Sequence, residues 1–324
     1  MTAPLLSVEG LRLAFGTGED AIEALRGVDI SIGPGECLGL VGESGSGKSL
    51  TAFTTMGLLP TQSQVVAGRV MFAGQDLLQK SERELEQLRG NDLSMIFQEP
   101  MTALNPVMHV GEQIAAPLRR HLGLSRKAAR TRAIEQLDLV GIPDPHARVD
   151  NFPHEMSGGM RQRTMIAMAL ACDPKLLIAD EPTTALDTTI QAQIIELLNG
   201  LRRELGLSIL IITHDLGVIA EMADRVAVMY GGRVVEESPV DKLFDEPLHP
   251  YSKGLLRSTP DIDMPVARRL ATISGAVPHV TELPSGCTFH PRCPDRLEIC
   301  SKEAPEEKCV GAGRRVACWA RDVS

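Results

Sequence analysis

One segment of the chain, residues 42–49, constrains its fold more than any other. It reads Gly42-Glu-Ser-Gly-Ser-Gly-Lys-Ser49 and fills every fixed position of the phosphate-loop pattern G-x-x-x-x-G-K-[S/T]. The short apolar run Cys37–Val41 precedes it, and residues 50–58 can form a helix. A glycine-rich loop between a strand and a helix directs backbone N–H groups and the helix N-terminus at phosphate oxygens. The segment therefore predicts a nucleoside triphosphate site in an α/β fold.

Individual residues of this loop have distinct predicted roles. Lys48 is expected to bridge the β- and γ-phosphates, and the hydroxyl of Ser49 is expected to ligate Mg²⁺. The glycines let the backbone approach the phosphates without an intervening side chain. The predicted phosphate contacts are Gly42, Ser44, Gly45, Gly47, Lys48 and Ser49. Upstream, Phe15 ends a predicted strand, where its ring could stack on adenine or pack in the core.

Composition limits the remaining classes of protein. The 324 residues, 43% of them hydrophobic, are enough for one large domain or two. The net charge of −9 argues against a nucleic-acid-binding protein, which normally carries a basic face. The N-terminus lacks the features of a signal peptide, and no apolar run approaches the roughly 20 residues of a membrane-spanning helix. We therefore expect a cytoplasmic protein that acts at a membrane only through partners.

A second group of candidate residues follows predicted strands. The apolar run Leu176–Asp180 delivers Asp180 and Glu181 at its carboxyl end, which is where doubly wound sheets bind ligands. Asp180 suits Mg²⁺, and Glu181 can accept a proton from an attacking water. Gln98 and His214 also follow predicted strands, although neither is informative alone.

A second predicted anion site lies at Ser157-Gly158-Gly159, just before a helical pattern. The segment before it, from Val110 to Phe152, is helical in pattern and predicts an inserted helical subdomain. Its basic residues favour a solvated face over an interaction patch. Downstream, Asp187 begins a long helix predicted over Thr188–Glu204.

Taken in order, these elements resemble the nucleotide-binding subunit of ABC transporters. They are the phosphate loop, Gln98, the Ser157–Gly159 signature, Asp180-Glu181, the loop Ala185-Leu-Asp187, and His214. Gln98-Glu-Pro-Met-Thr-Ala-Leu-Asn-Pro106 is similar to the dipeptide and oligopeptide importers, as is His249-Pro-Tyr251 in the C-terminal part. Met160 departs from the glutamine more usual in the ABC signature, a variation found in the peptide branch.

The resemblance implies a RecA-like phosphate-loop core with an antiparallel β subdomain and an inserted helical subdomain at about 105–160. The ATPase domain is expected over 1–245, and a small cysteine-rich extension over 246–324. The implied catalytic residues are Glu181, His214 and Gln98, and the implied Mg²⁺ ligands are Ser49, Gln98 and Asp180. Ser157, Gly158, Gly159 and Asp187 would complete a nucleotide site shared between two subunits.

The resemblance also implies partners and a location. We expect a second ABC ATPase subunit of different sequence, two transmembrane permease subunits, an extracytoplasmic substrate-binding protein acting indirectly, and no nucleic acid. The chain would lie peripherally on the cytoplasmic face of the inner membrane. The expected function is ATP hydrolysis that powers import of dipeptides or oligopeptides. Alternatives are another solute, such as nickel, glutathione, an opine or a sugar, a soluble ABC ATPase without a transport role, and a degenerate regulatory module.

Five of the seven cysteines lie between Cys287 and Cys318. Disulfides are improbable in the cytoplasm, and the paired C-x₂-C knuckles usual in zinc ribbons are absent. Zinc and unliganded thiols remain alternatives. The spacing resembles the cluster-binding tail of peptide-importer ATPases, which implies a [4Fe–4S] cluster on Cys287, Cys293, Cys300 and Cys318. Cys309 is surplus, or could replace Cys318.

Overall fold

The computed structural model describes residues 3–184, 186–258, 272–311 and 313–321. Its strands are β1 (Leu6–Phe15), β2 (Ile22–Ile32), β3 (Cys37–Val41), β4 (Ser63–Phe72), β5 (Gln75–Asp76), β6 (Leu93–Ile96), β7 (Leu176–Asp180), β8 (Ser208–Ile212), β9 (Arg225–Tyr230), β10 (Arg233–Pro239), β11 (Lys308–Cys309) and β12 (Arg315–Val316). Its helices are α1 (Lys48–Thr55), α2 (Glu82–Leu88), α3 (Pro100–Ala103), α4 (Val110–Leu122), α5 (Arg126–Leu139), α6 (Pro145–Arg148), α7 (Gly158–Leu170), α8 (Thr188–Leu205), α9 (Leu216–Met222), α10 (Val240–Asp245) and α11 (Pro250–Ser258). Among these helices, none is both long enough and apolar enough to cross a membrane.

The chain divides into two compact units, and the first comprises residues 3–5, 32–36 and 77–212. Its strands β6, β7 and β8 run parallel, with Leu176 opposite both Leu93 and Ser208. Every residue of these strands is buried, as in a parallel sheet covered on both faces. Because the strands are parallel and in register, residues that follow them gather at one edge of the sheet.

Helices α4, α5 and α7 pack against one another in this unit. One face of α5 is apolar and buried, including Ala129, Ala133 and Leu137. On the opposite face, Arg130 pairs with Asp150 and is exposed to solvent. The basic side of this helix therefore lies at the surface, which both a solvated face and an interaction patch require.

The second unit comprises residues 6–31, 37–76, 213–258, 272–311 and 313–321. One of its sheets is antiparallel, in the order β2-β1-β4-β5, with Leu6 opposite Phe72. In the other, β3 runs parallel to β9, and β10 pairs antiparallel with β9. The C-terminal region, meaning the described residues from 246 onward, adds β12 to β10 and β11 to β12. The predicted antiparallel β subdomain is thus present.

Two buried carboxylates bind the C-terminal region to β10. Glu236 accepts hydrogen bonds from the backbone N–H groups of Leu248 and His249, at 2.8 and 2.7 Å. Glu237 is ion-paired with Arg225 and Arg315. A buried charge is costly unless it is paired or hydrogen-bonded, and both carboxylates meet this requirement.

Candidate functional site

The phosphate loop connects β3 to α1, as predicted, but the helix begins at Lys48 instead of residue 50. Gly47 immediately before it has φ +106°, a left-handed value that favours glycine. Gly42 has φ +154°, and a Cβ there would lie 2.3 Å from the carbonyl oxygen of Met229. The loop backbone therefore packs too closely for side chains at these two positions.

Lys48 is buried within the curve of the loop. Its ammonium group donates hydrogen bonds to the carbonyl oxygens of Gly42 and Glu43, at 2.7 and 3.1 Å. These contacts hold the positive charge inside the loop that the sequence predicts will bind phosphates. The side chain is only 6% exposed, so its charge is little screened by water.

Glu43 of the same loop contacts two residues from the C-terminal region. Its backbone N–H donates to the hydroxyl of Tyr251 at 2.8 Å. Its two carboxylate oxygens accept hydrogen bonds from the two terminal nitrogens of Arg292, at 2.7 and 3.0 Å. Sequence reasoning found no chemical role for Tyr251 and did not single out Arg292, because contacts across more than 200 residues leave no local pattern.

Glu181 and Gln98 are brought together in the first unit. The backbone N–H of Glu181 donates to the carbonyl oxygen of Ile212 at 2.8 Å, and its φ of +47° is unusual for a residue with a side chain. Its Oε2 accepts hydrogen bonds from Gln98 Nε2 at 3.0 Å and from Thr184 Oγ1 at 2.7 Å. Sequence reasoning missed Thr184, although its position three residues after Glu181, in the turn that follows β7, was an available signal.

Asp180 is the last residue of β7 and is 3% exposed. It lies at the carboxyl edge of the parallel strands, as predicted for a residue facing a ligand. Its carboxylate oxygens are the type of ligand that Mg²⁺ prefers.

The predicted signature residues cap α7. The hydroxyl of Ser157 accepts the backbone N–H of Met160 at 3.3 Å, and Ser157 and Gly158 are exposed. Asp187 caps α8 in the same way, since its carboxylate accepts the N–H of Ile190 at 2.9 Å. A Cβ on Gly159 would lie 3.0 Å from Ile190, so the starts of these two helices are close together. Ala185, in the loop before Asp187, lies outside the described residues.

In the second unit, His214 follows Thr213 and is exposed. It lines a cavity of about 390 Å³ together with Gly42 and Glu43 of the phosphate loop. The structure thus places His214 beside the loop, as its predicted contact with a γ-phosphate requires. Phe15 ends β1 and is half-buried, so its ring is partly accessible.

The four predicted cluster ligands gather in the C-terminal region. Burial raises the pKa of Cys287, and the thiols of Cys300 and Cys318 raise it further. Burial likewise raises the pKa of Cys293 to about 11, with contributions from Cys318 and Cys287. Across residues 3–184, 186–258, 272–311 and 313–321, however, no three or more His, Cys, Asp or Glu side chains are arranged to hold a metal ion. The arrangement therefore does not support the predicted [4Fe–4S] ligand set.

Comparison with known proteins gives consistent matches along the chain. A family model described as ABC transporter matches residues 25–184, and one described as oligopeptide/dipeptide transporter, C-terminal region, matches residues 235–300. The dipeptide transport ATP-binding protein DppD of Bacillus subtilis is 49% identical over 319 residues, covering 98% of this chain and 95% of that protein.

Solved structures match the nucleotide-binding part. The ATP-binding cassette MJ0796, described as a dimeric post-hydrolysis state bound to ADP and Pi, has a TM-score of 0.65 and 29% identity, covering 72% of this chain and 98% of that chain. CbiO1 from Clostridium perfringens, described as part of the ABC transporter complex cbiONQ, has a TM-score of 0.64 and 29% identity. The match covers 76% of this chain and 92% of that chain.

Proposed function

This chain belongs to the ABC transporter family, and we propose that it is the ATP-hydrolysing subunit that powers import of dipeptides and oligopeptides through a membrane permease. The observation that carries the choice of peptides is the match of residues 235–300 to the C-terminal region of oligopeptide/dipeptide transporters. A relative named as a dipeptide transport ATP-binding protein supports it along nearly the whole chain. ATP hydrolysis itself is the activity of the family.

The proposed hydrolytic step uses Glu181 as the base that orients and deprotonates water. Gln98 and Thr184 both donate to Oε2 of Glu181, and these two hydrogen bonds orient the carboxylate that would accept the proton. His214, beside the phosphate loop, would donate to the γ-phosphate. These residues act on charge that develops in the transition state, where fixed donors are most effective.

The proposed nucleotide contacts are those of the phosphate loop, with Phe15 stacking on adenine. When nucleotide binds, the ammonium group of Lys48 would break its hydrogen bonds to the carbonyl oxygens of Gly42 and Glu43 and contact the β- and γ-phosphates instead. The proposed Mg²⁺ ligands are Ser49, Asp180 and Gln98, whose hydroxyl, carboxylate and amide oxygens are of the type that Mg²⁺ prefers. A bound ion would offset the charge of the phosphates.

We propose that Ser157, Gly158, Gly159 and Asp187 serve the nucleotide of a second ATPase subunit, which is a different chain of the same family. The exposure of Ser157 and Gly158 at the start of α7 supports this role, because an N-terminal helix end attracts anions. Closure on ATP and separation after hydrolysis would then move two permease subunits. A substrate-binding protein would deliver peptides from outside, and this chain would lie peripherally on the cytoplasmic face of the inner membrane.

The proposed domains are the ATPase domain at 1–245, with its helical subdomain at about 105–160, and the extension at 246–324.

We also propose that Cys287, Cys293, Cys300 and Cys318 bind an iron–sulfur cluster once their side chains reorient. Its support is the closeness of these thiols: burial raises the pKa of Cys287 and of Cys293, and the thiols of Cys300 and Cys318 add to the rise at Cys287, as the thiols of Cys318 and Cys287 do at Cys293. Iron and sulfide analysis of anaerobically purified protein tests it, and zinc without sulfide would refute it.

Transport of a labelled dipeptide tests the proposed function. The complex that contains this chain is reconstituted into vesicles with its binding protein, and uptake is measured with ATP at the face this chain occupies. We expect ATP-dependent uptake that is lost in the Glu181→Gln complex. Uptake of another solute but not of peptides would refute the cargo, and ATP hydrolysis without any uptake would refute the transport role.

A further inference from the structure

The phosphate loop is held at Glu43 by two side chains from the C-terminal region. Tyr251 accepts the backbone N–H of Glu43 at 2.8 Å. Arg292 binds both carboxylate oxygens of Glu43, at 2.7 and 3.0 Å, in the bidentate geometry that makes arginine pairs strong. Glu43 is thus held at both its backbone and its side chain.

Tyr251 is itself held firmly in place. Its backbone N–H donates to Nδ1 of His249 at 3.0 Å, and the N–H of His249 donates to the buried carboxylate of Glu236 at 2.7 Å. Its ring packs edge-on against Tyr230, with ring centroids 4.7 Å apart, and against Phe289 at 5.3 Å. The His249-Pro-Tyr251 sequence thus directs one hydroxyl group at the phosphate loop.

Burial lowers the pKa of His249 to about 3. The ring is therefore neutral at physiological pH, which allows Nδ1 to accept the N–H of Tyr251. A charged imidazolium could not accept this hydrogen bond.

Arg292 is fixed as firmly as Tyr251. Its side chain is 5% exposed, and its Nε donates to the carbonyl oxygen of Ser274 at 3.1 Å. The guanidinium also lies over the ring of Tyr230, 5.8 Å from its centroid. A cation so buried and so fully bonded provides a rigid partner for Glu43.

The position of Glu43 gives these contacts a consequence for nucleotide binding. Its carbonyl oxygen accepts from Lys48, and its carboxylate adds a negative charge to a loop that must bind a triphosphate. Arg292 neutralises that charge, and Tyr251 fixes the backbone from which the loop begins. We propose that Tyr251 and Arg292 are positioning residues that organise the phosphate loop for ATP and cancel the charge of Glu43. This inference rests on the nucleotide site of the proposed function and is independent of the transported cargo.

Binding of Mg·ATP to the full-length chain, measured by titration calorimetry, tests the inference. Tyr251→Phe removes one hydroxyl and keeps the ring, so we expect a loss of affinity of about three- to tenfold, as for one hydrogen bond. Arg292→Met should weaken binding by about tenfold or more, because the charge of Glu43 is then unpaired. Adding Glu43→Gln to Arg292→Met should restore most of the lost affinity.

Arg314→Met is the matched control. Arg314 is 9% exposed and pairs with Glu246 in the same region of the chain, so the substitution removes an equally buried guanidinium from elsewhere. Its affinity for ATP should equal that of wild type. Wild-type affinity in both Tyr251→Phe and Arg292→Met would overturn the inference, as would an equal loss in Arg314→Met or a failure of Glu43→Gln to rescue. Absence of ATP binding by the wild-type chain would instead refute the nucleotide site itself.

Discussion

Replacement of Glu181 by glutamine should stop hydrolysis while leaving ATP binding intact. The substitution keeps the size of the side chain and an oxygen that can accept from Thr184 or Gln98, which lie 2.7 and 3.0 Å from Oε2. Glutamine at this position meets the same left-handed φ of +47° as glutamate. The backbone strain is therefore unchanged, and the loss should be chemical.

The size of the effect follows from the lost proton acceptor. A positioned general base contributes about 10²- to 10⁴-fold to the rate. At 1.36 kcal/mol per tenfold, this range corresponds to about 2.7 to 5.4 kcal/mol of activation free energy. We therefore expect Glu181→Gln to turn over at least about a hundredfold more slowly.

Steady-state ATPase assays of the assembled complex, together with ATP titrations, measure both parts of this prediction. Glu196→Gln is a suitable control, because Glu196 is an exposed carboxylate on α8 of the same unit and its loss should leave turnover unchanged. Normal turnover in Glu181→Gln would refute the assignment of Glu181 as the base.

Three further predictions concern the residues that support the site. Thr184→Val should lower kcat about three- to tenfold at unchanged KM for ATP, because Glu181 loses one hydrogen bond, and Thr184→Ser should restore it. Gly42→Ala should abolish ATP binding, since its Cβ would lie 2.3 Å from Met229, whereas Gly200→Ala, which meets nothing within 4 Å, should not. In the unfolded chain His249 has its ordinary pKa of 6.5, but burial in the folded chain lowers that pKa to about 3. Stability should therefore fall as the pH drops through this window, by up to about 1.4 kcal/mol per unit, and urea titrations should show a weaker dependence in His249→Gln.

The elements around the phosphate loop were predictable because local patterns determine them. Strands β3 and β7 have the predicted bounds, since apolar runs flanked by glycine or charged residues leave little choice of where a strand begins and ends. Helix α1 begins two residues earlier than predicted. Gly47 ends the loop in a left-handed conformation, and this lets Lys48 enter the helix directly.

Contacts between distant residues could not be predicted in the same way. The contact of Gln98 with Glu181 depends on the parallel pairing of β6 with β7, which brings the two side chains within hydrogen-bond distance. The bonds from Tyr251 and Arg292 to Glu43 depend on the folding of the C-terminal region onto the loop. Cysteine spacing predicted a shared site, but spacing does not determine side-chain rotamers, and within the described part of the chain the thiols form no group arranged for a metal.

The most direct test of the proposed function is the ATPase activity of the complex captured through a tag on this chain, with and without dipeptides and the binding protein. We expect permease subunits to copurify and dipeptides to stimulate hydrolysis. Permease subunits whose hydrolysis does not respond to peptides would contradict the proposed cargo. Active chain without any permease subunit would contradict the transport function.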